Sequence, residues 1–470
     1  MKSELIKGDS LQELKKYDDN SIDLLCTDPP YGYSFMGRDW DKTLPPKEIF
    51  EECFRVLKPG SMAFVMSAPR SDVQYRMAEM LEKVGFRIDY TPIYWTYASG
   101  FPKAMNIGKM IDKRKGVERE VIGKNPNHRE SEALYELGFQ GGKGDGNIVG
   151  GAVSDEAKKL DGSYGGFQPK PAVEVVIVAM KPLDKKGYLE QALDNGKGIT
   201  WFDDCRIPFA DDSDAEQYDN DNVAGQMNFD EKYEKNSGKM YEGGWEKPKR
   251  KKKKITMPDL RDVGKKSKEA IGIDKLSYGQ VENAERLEYE PNTDGRFPAN
   301  MLVSDKVLDD YSRYFSLDEW FSKNLKSLPE PVQQTFPFMI VPKASKAEKN
   351  NGLDNFEVKQ QKGGGGTSNN TWYEDDVNSA SGKFGSEKAP SRNIHPTVKP
   401  LTLMNYLVTL GSRKGDVVLD PFMGSGTTPL ACVSLERKYI GIDNEEDYYE
   451  IAKARVDKLE APIKAWEKFI

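Results

Sequence analysis

The stretch Val417–Thr428, VVLDPFMGSGTT, decides the fold. A short apolar run ends in Asp420-Pro421, and Phe422 leads into a turn holding Gly424 and Gly426. Thr427 and Thr428 then open TTPLACVSLE, which reads as a helix. Strand, glycine-rich turn and helix in this order make a nucleotide-type binding turn. Glycines let a ligand reach the backbone, and the first N–H groups of the helix face a carboxylate or phosphate. The next strand, KYIGID, ends in Asp443, about twenty residues on, where dinucleotide folds place the acid that accepts from ribose hydroxyls. The spacing matches neither Gly-x-Gly-x-x-Gly nor the P-loop, whose lysine is absent, so the ligand carries a ribose and need not carry phosphates. An ordinary tight strand-to-helix turn is the other reading of Gly-x-Gly alone.

A second stretch, LLCTDPPYGYSF from Leu24 to Phe35, has the same design. Asp28 closes an apolar run, at the strand end that borders the ligand crevice of α/β sheets. Pro30 restricts Pro29 to extended geometry and so fixes its carbonyl as an acceptor. Tyr31 adds a flat face. Two acceptors beside an aromatic plate suit a planar ring with an exocyclic amine. A proline-stiffened strand exit is the alternative.

The rest of the chain supports a layered α/β sheet. SIDLLCTD, SMAFVMSA, RIDYTPIYW and AVEVVIVAM read as strands, and LQELKK, KEIFEECFRVLKPG and DVQYRMAEMLEKVGF as helices. PLTLMNYLVTLG and EDYYEIAKARVDKLEA are helices around the C-terminal strands. Between Lys181 and about Arg392 the chain is irregular and polar, with apolar islands at RFPANMLV and FPFMIVPKA and a glycine-rich loop at QQKGGGGTSNN. Its 470 residues exceed one compact core, which implies a large domain with a second unit or insertion. The net charge of −7 hides an acidic block at 210–222 and a basic one, KPKRKKKK, at 247–254. A basic run of this kind is either a phosphate contact or a solvated tract.

Four scattered cysteines and two histidines argue against disulfides and against a metal site. The opening MKSELIKGDS has no apolar signal core and no run approaches the ~20 apolar residues of a membrane helix, so the expected location is the cytoplasm.

Taken together, these residues resemble the amino-group DNA methyltransferases, which move methyl from S-adenosylmethionine to N6 of adenine or N4 of cytosine. The catalytic tetrapeptide of that family corresponds to Asp28, Pro29, Pro30 and Tyr31, and its cofactor loop to Asp420, Pro421, Phe422, Gly424 and Gly426. HPTVKP, with Thr397, Lys399 and Pro400, matches a segment that helps hold the methionine end of the cofactor. Asp9 in KGDSLQEL matches an acid near its adenine. With Thr427 and Asp443 these residues form the implied cofactor site. Catalytic motif first and cofactor motif last resembles the permuted beta group. ASGFPKAMNIGKMIDK, DGRFPANMLV and VPKASKAEKN look like a phage and prophage branch of it.

The resemblance implies a circularly permuted, Rossmann-like methyltransferase sheet with a large irregular target-recognition insertion. Residues 1–181 would be the catalytic half and 391–470 the S-adenosylmethionine-binding half of one domain. Residues 182–390 would form the variable region, with 210–292 an insertion. The partner implied is double-stranded DNA, with no membrane and no metal; a homodimer is left open.

The implied chemistry is direct in-line transfer to a flipped base. Carbon-5 cytosine methylation needs a cysteine after a proline, and no cysteine here has that neighbour. Asp in the tetrapeptide favours adenine, with N4-cytosine as the alternative. Other readings are RNA methylation, protein-glutamine methylation, whose enzymes carry the two motifs in the reverse order, and an inactive DNA-binding regulator.

Overall fold

The computed structural model describes residues 2–32, 43–97, 106–124, 147–167, 172–209, 211–212, 214–215, 295–304, 315–325, 346–358, 392–395 and 397–467. The chain forms two compact units, Met1–Pro208 with Arg296–Ile470, and Phe209–Gly295. The acidic and basic blocks, FPFMIVPKA and QQKGGGGTSNN fall almost wholly outside the described residues.

The first unit is built on eight strands: β1 (Glu4–Lys7), β2 (Leu24–Thr27), β3 (Met62–Ser67), β4 (Ile93–Thr96), β7 (Val173–Met180), β8 (Met301–Val303), β9 (Val417–Asp420) and β10 (Lys438–Asp443). A separate pair, β5 (Val121–Lys124) and β6 (Asn147–Val149), is antiparallel. The main sheet runs β1-β10-β9-β2-β3-β7-β4-β8. All its pairings are parallel except those of β7, which is antiparallel to both neighbours. The β1 and β8 strands were not anticipated: each is short, and Glu4–Lys7 has no buried residue to reveal a core face. Because β8 borders β4, part of the stretch 182–390 belongs to this sheet.

Alternation along the strands gives the sheet two buried faces. Leu24, Cys26, Phe64, Val176, Val178 and Val418 point to one side. There they meet α9 (Leu401–Gly411), α10 (Thr427–Ser434), α7 (Leu317–Leu325) and α11 (Glu446–Glu467). Leu25, Ala63, Val65, Ile177, Leu419 and Ile440 point to the other, under α1 (Ser10–Leu14), α2 (Lys47–Val56) and α3 (Ser71–Val84). Every residue of α9 is buried. A Cβ on Gly411 would fall 2.6 Å from Leu24 Cδ1, so glycine lets this helix lie against the sheet.

Strands from the two ends of the chain meet where β2 pairs with β9. A buried ionic cluster pins that seam. Asp23 accepts from the Val417 N–H at 2.9 Å and from Lys58 at 2.6 Å, and Lys197 lies 3.0 Å from Asp23 and 2.8 Å from Asp416. Burial raises the Asp23 carboxyl, but Lys197, Lys58 and the Val417 amide outweigh it and hold the group below its usual range. From this seam the chain runs outward in opposite directions, β9 to β10 and β2 to β3. That is the switch point at which open α/β sheets form a ligand crevice.

The four cysteines are free and buried. Among the described residues no helix is long and apolar enough to cross a membrane, and no group of three or more His, Cys, Asp or Glu is placed to hold a metal ion.

Candidate active site

Four parallel strands deliver acids to one edge of the sheet. β1 ends before Asp9, β10 in Asp443, β9 in Asp420, and β2 before Asp28. The two motifs read from the sequence are joined there: Thr27 Oγ1 donates to Asp420 Oδ1 at 2.6 Å across 393 residues.

The glycine-rich turn is braced from all sides. Asp420 is buried and also bonds Thr428 and the Phe422 N–H, and burial pushes its carboxyl up to about 6. It therefore braces the turn from within. The Pro421 carbonyl accepts from Ser10 Oγ at 2.6 Å, and Phe422 packs on Phe50 with ring centroids 6.0 Å apart. From beneath, the buried Arg455 of α11 donates to the Ser425 carbonyl at 2.5 Å and reaches Thr427 Oγ1 at 3.5 Å. Burial lowers the Arg455 guanidinium to about 10.

Packing within the protein gives the two glycines a requirement of their own. Both have positive φ, +51° at Gly424 and +78° at Gly426. A Cβ on Gly424 would stand 2.5 Å from His395 Nε2, and one on Gly426 would stand 2.8 Å from Ala452 Cβ. The space they leave is filled by the protein itself. His395 in turn stacks edge-on against Tyr448 at 4.5 Å and accepts from the Thr397 N–H on Nδ1 at 3.4 Å. Gly426 caps α10 without a side-chain acceptor, which leaves the first amides of that helix to other partners.

Asp443 holds the turn by its other end. Oδ2 accepts from the Gly424 N–H at 3.0 Å and Oδ1 from the Glu445 N–H at 2.9 Å. Burial dominates over these two bonds and pushes the carboxyl up to about 7. Each oxygen retains a lone pair, as a ribose diol requires. Asp9 caps α1, with Oδ1 accepting from the Gln12 N–H at 3.0 Å, and the adjacent Gly8 N–H bonds the Asp443 carbonyl at 3.0 Å. Asp9 and Asp443 are thus neighbours across the β1–β10 pair.

On the other side of the crevice, Asp28 is bonded through both oxygens. Tyr31 Oη donates to Oδ1 at 2.7 Å, and Lys399 Nζ donates to Oδ2. The Tyr31 ring lies 5.7 Å from the Lys399 ammonium. Tyr31 thus orients Asp28 through its hydroxyl. Lys399, expected at the cofactor, bonds Asp28 and lies within 3.4 Å of Glu174 Oε2. Pro400 begins α9 as its cap, which fixes where Lys399 projects.

Glu174 was missed. It sits at the start of β7, whose antiparallel course returns that end to the edge where β3 and β4 finish. The available signal was a lone charge inside an otherwise apolar run, VEVVIVAM. Ser10, Thr27 and Arg455 were also missed; each is an ordinary residue whose partner lies far away in sequence.

A family described as DNA methylase, that of the N6 and N4 methyltransferases, matches residues 22–454. The type II methyltransferase M2.MboI of Moraxella bovis is 44% identical over 70 residues, 15% of this chain and 26% of that protein. M.HpaI of Haemophilus parainfluenzae is 48% identical over 67 residues, 14% of this chain and 21% of that one. The aligned stretches thus span about a quarter of the curated relatives. Among solved structures, the cytosine-N4-specific PvuII DNA methyltransferase aligns over 98% of this chain and 91% of its own, at 12% identity and a TM-score of 0.37. M1.HpyAVI aligns over 97% and 98%, at 14% identity and a TM-score of 0.34.

Proposed function

The chain belongs to the N6/N4 DNA methylase family, and on that premise we propose that it transfers methyl from S-adenosylmethionine to the exocyclic N6 of adenine in double-stranded DNA. The observation that carries this reading is the Thr27–Asp420 bond, which sets Asp28 beside the glycine-rich turn. The order of the motifs fits the permuted beta group, and the segments around 98–113, 294–303 and 341–350 fit its phage-like branch.

The residues fit the cofactor. Asp443 offers acceptors to a ribose diol, Asp9 stands beside it for the adenine end, and the uncapped start of α10 suits a carboxylate. Thr397, next to His395 and the turn, belongs to the same wall. When bound, S-adenosylmethionine supplies an electrophilic methyl group on a sulfonium.

The chain's own residues handle the amine. An exocyclic amine is a poor nucleophile because its lone pair is conjugated with the ring. Asp28 and the Pro29 carbonyl accept hydrogen bonds from its two N–H groups, hold the nitrogen in place and turn its lone pair toward the methyl. Tyr31 holds Asp28 by its hydroxyl and offers its ring to the flipped base. With the cofactor bound, methyl would pass from its sulfonium to the amine, and the extra amine proton would leave to Asp28. The work is positioning and electrostatics, with no covalent enzyme intermediate.

Adenine is favoured by Asp at the head of the tetrapeptide. Target sequence would be read by the region between 182 and 390 through the major groove. Single-molecule sequencing of DNA from cells expressing the protein tests this reading. Methylated adenine in one sequence context, lost with Asp28→Ala, is the expected result. Methylated cytosine would replace the adenine assignment, and unmodified DNA would remove the function.

A further inference from the structure

Lys399 carries one ammonium between two carboxylates. Its Nζ is hydrogen-bonded to Asp28 Oδ2, and Glu174 Oε2 stands 3.4 Å away. That Glu174 oxygen is shut off from solvent and takes no hydrogen bond among the described residues, while Tyr97 Oη reaches Oε1 at 3.4 Å. The lysine side chain is 9% exposed and each carboxylate side chain 18%. In such a partly dry pocket a charged bond made or lost weighs more than in water. A buried carboxylate oxygen without a donor is costly, so an empty acceptor next to an ammonium calls for a use.

The occupied seat is the awkward one. Before substrate arrives, both Asp28 oxygens already hold protein donors, Tyr31 and Lys399. The amine of a target base brings further donors to the same carboxylate. Among the described residues, Glu174 offers the lysine a second charged partner.

We propose that Lys399 is a two-seat positioning residue: it rests on Asp28 until the target base enters, then moves its hydrogen bond to Glu174 and frees Asp28 Oδ2 for the amine. The inference rests on the methyl-transfer reading of the Asp28 site. The ammonium stays protonated throughout, and no covalent bond changes in the step. The movement is small because the second seat is already 3.4 Å away. It also protects the resting site, since Asp28 is never an unpaired buried charge.

The test uses the full chain, tritiated S-adenosylmethionine and unmethylated genomic DNA, with cofactor affinity measured separately by calorimetry in the absence of DNA. Glu174→Gln keeps the shape of the seat but removes its charge, stranding the lysine on Asp28. It is expected to lower kcat about tenfold or more while cofactor Kd stays within about twofold. Lys399→Met should likewise leave cofactor Kd within about twofold. In that background the latch is gone, so adding Glu174→Gln should change the rate by less than about twofold.

Wild-type kcat in Glu174→Gln, effects that multiply in the double variant, or cofactor binding weakened tenfold by Lys399→Met would each overturn the proposal. The last result would return Lys399 to the cofactor. If Glu174→Gln does not fold, Glu174→Asp decides, since its carboxylate is withdrawn by one methylene. An intermediate rate supports the two-seat lysine and a wild-type rate refutes it. Wild-type protein that binds cofactor but methylates no DNA would instead defeat the methyl-transfer reading, before any variant is compared.

Discussion

With the proposed role of Asp443 at the ribose, cofactor binding should carry a pH dependence whose size follows from the surroundings of that carboxyl. Burial is the largest influence on its carboxyl and lifts it from 3.8 to about 7, against the two backbone amides that favour the charged form. Only the ionised carboxylate can accept from both ribose hydroxyls while keeping its bonds to Gly424 and Glu445. Affinity for S-adenosylmethionine must then rise with pH as the free protein loses this proton. For a group titrating near about 7, affinity at pH 6 is about tenfold below that at pH 8, and at pH 5 about a hundredfold below.

The same shift acts on folding with a definite sign. The folded chain holds a proton that the unfolded chain releases, so this group's contribution to stability falls as pH rises between 3.8 and about 7. The assay is calorimetric titration of cofactor from pH 5.5 to 8.5, with melting temperature checked in each buffer. Asp443→Asn serves as the reference, because the difference between the two proteins cancels the cofactor's own amino-group titration. The variant should bind about 1–3 kcal/mol more weakly at pH 8 and show a flatter curve. Parallel curves for wild type and variant would refute the assignment of the ribose diol to Asp443.

Asp28→Ala should cost at least ~10²–10³ in methylation rate with cofactor affinity near wild type, since its work is on the amine and Glu174 remains to pair Lys399; an early-melting variant that methylates at full rate would contradict it. Lys197→Ala should destabilise by about 3 kcal/mol in urea unfolding, because Asp23 and Asp416 lose a buried cation. The depressed Asp23 carboxyl adds stability above its unfolded value, so this loss should shrink as pH falls below about 4. Gly426→Ala should cost about 1–3 kcal/mol and weaken cofactor binding, whereas Gly415→Ala, with a similar φ of +87° but nothing within 4 Å of its Cβ, should cost less and spare the cofactor. Deleting 210–254 should leave cofactor affinity intact; a flatter salt dependence of DNA binding would show that the basic run touches phosphate, and an unaltered slope would show that it does not.

What the sequence determined by itself is what short-range pattern can encode. Unbroken apolar runs in MAFVMS and VVIVAM mark strands buried on both faces, and helical spacing in KEIFEECFRV marks a helix with one apolar face. Asp28-Pro29-Pro30-Tyr31 and Asp420 to Gly426 stand at strand ends because apolar runs stop there. These are properties of neighbours along the chain, which residue type and period largely settle. Tertiary structure alone decided the partners. Thr27 meets Asp420, and Asp28 meets Lys399, only because β2 lies against β9 and α9 starts above them. Glu174 reaches the same pocket because β7 runs against its neighbours. The packing requirement for glycine at 424 and 426 likewise comes from His395 and Ala452 arriving from elsewhere. No local pattern carries such information, because a side chain's role there depends on strand order and register, which long-range packing sets.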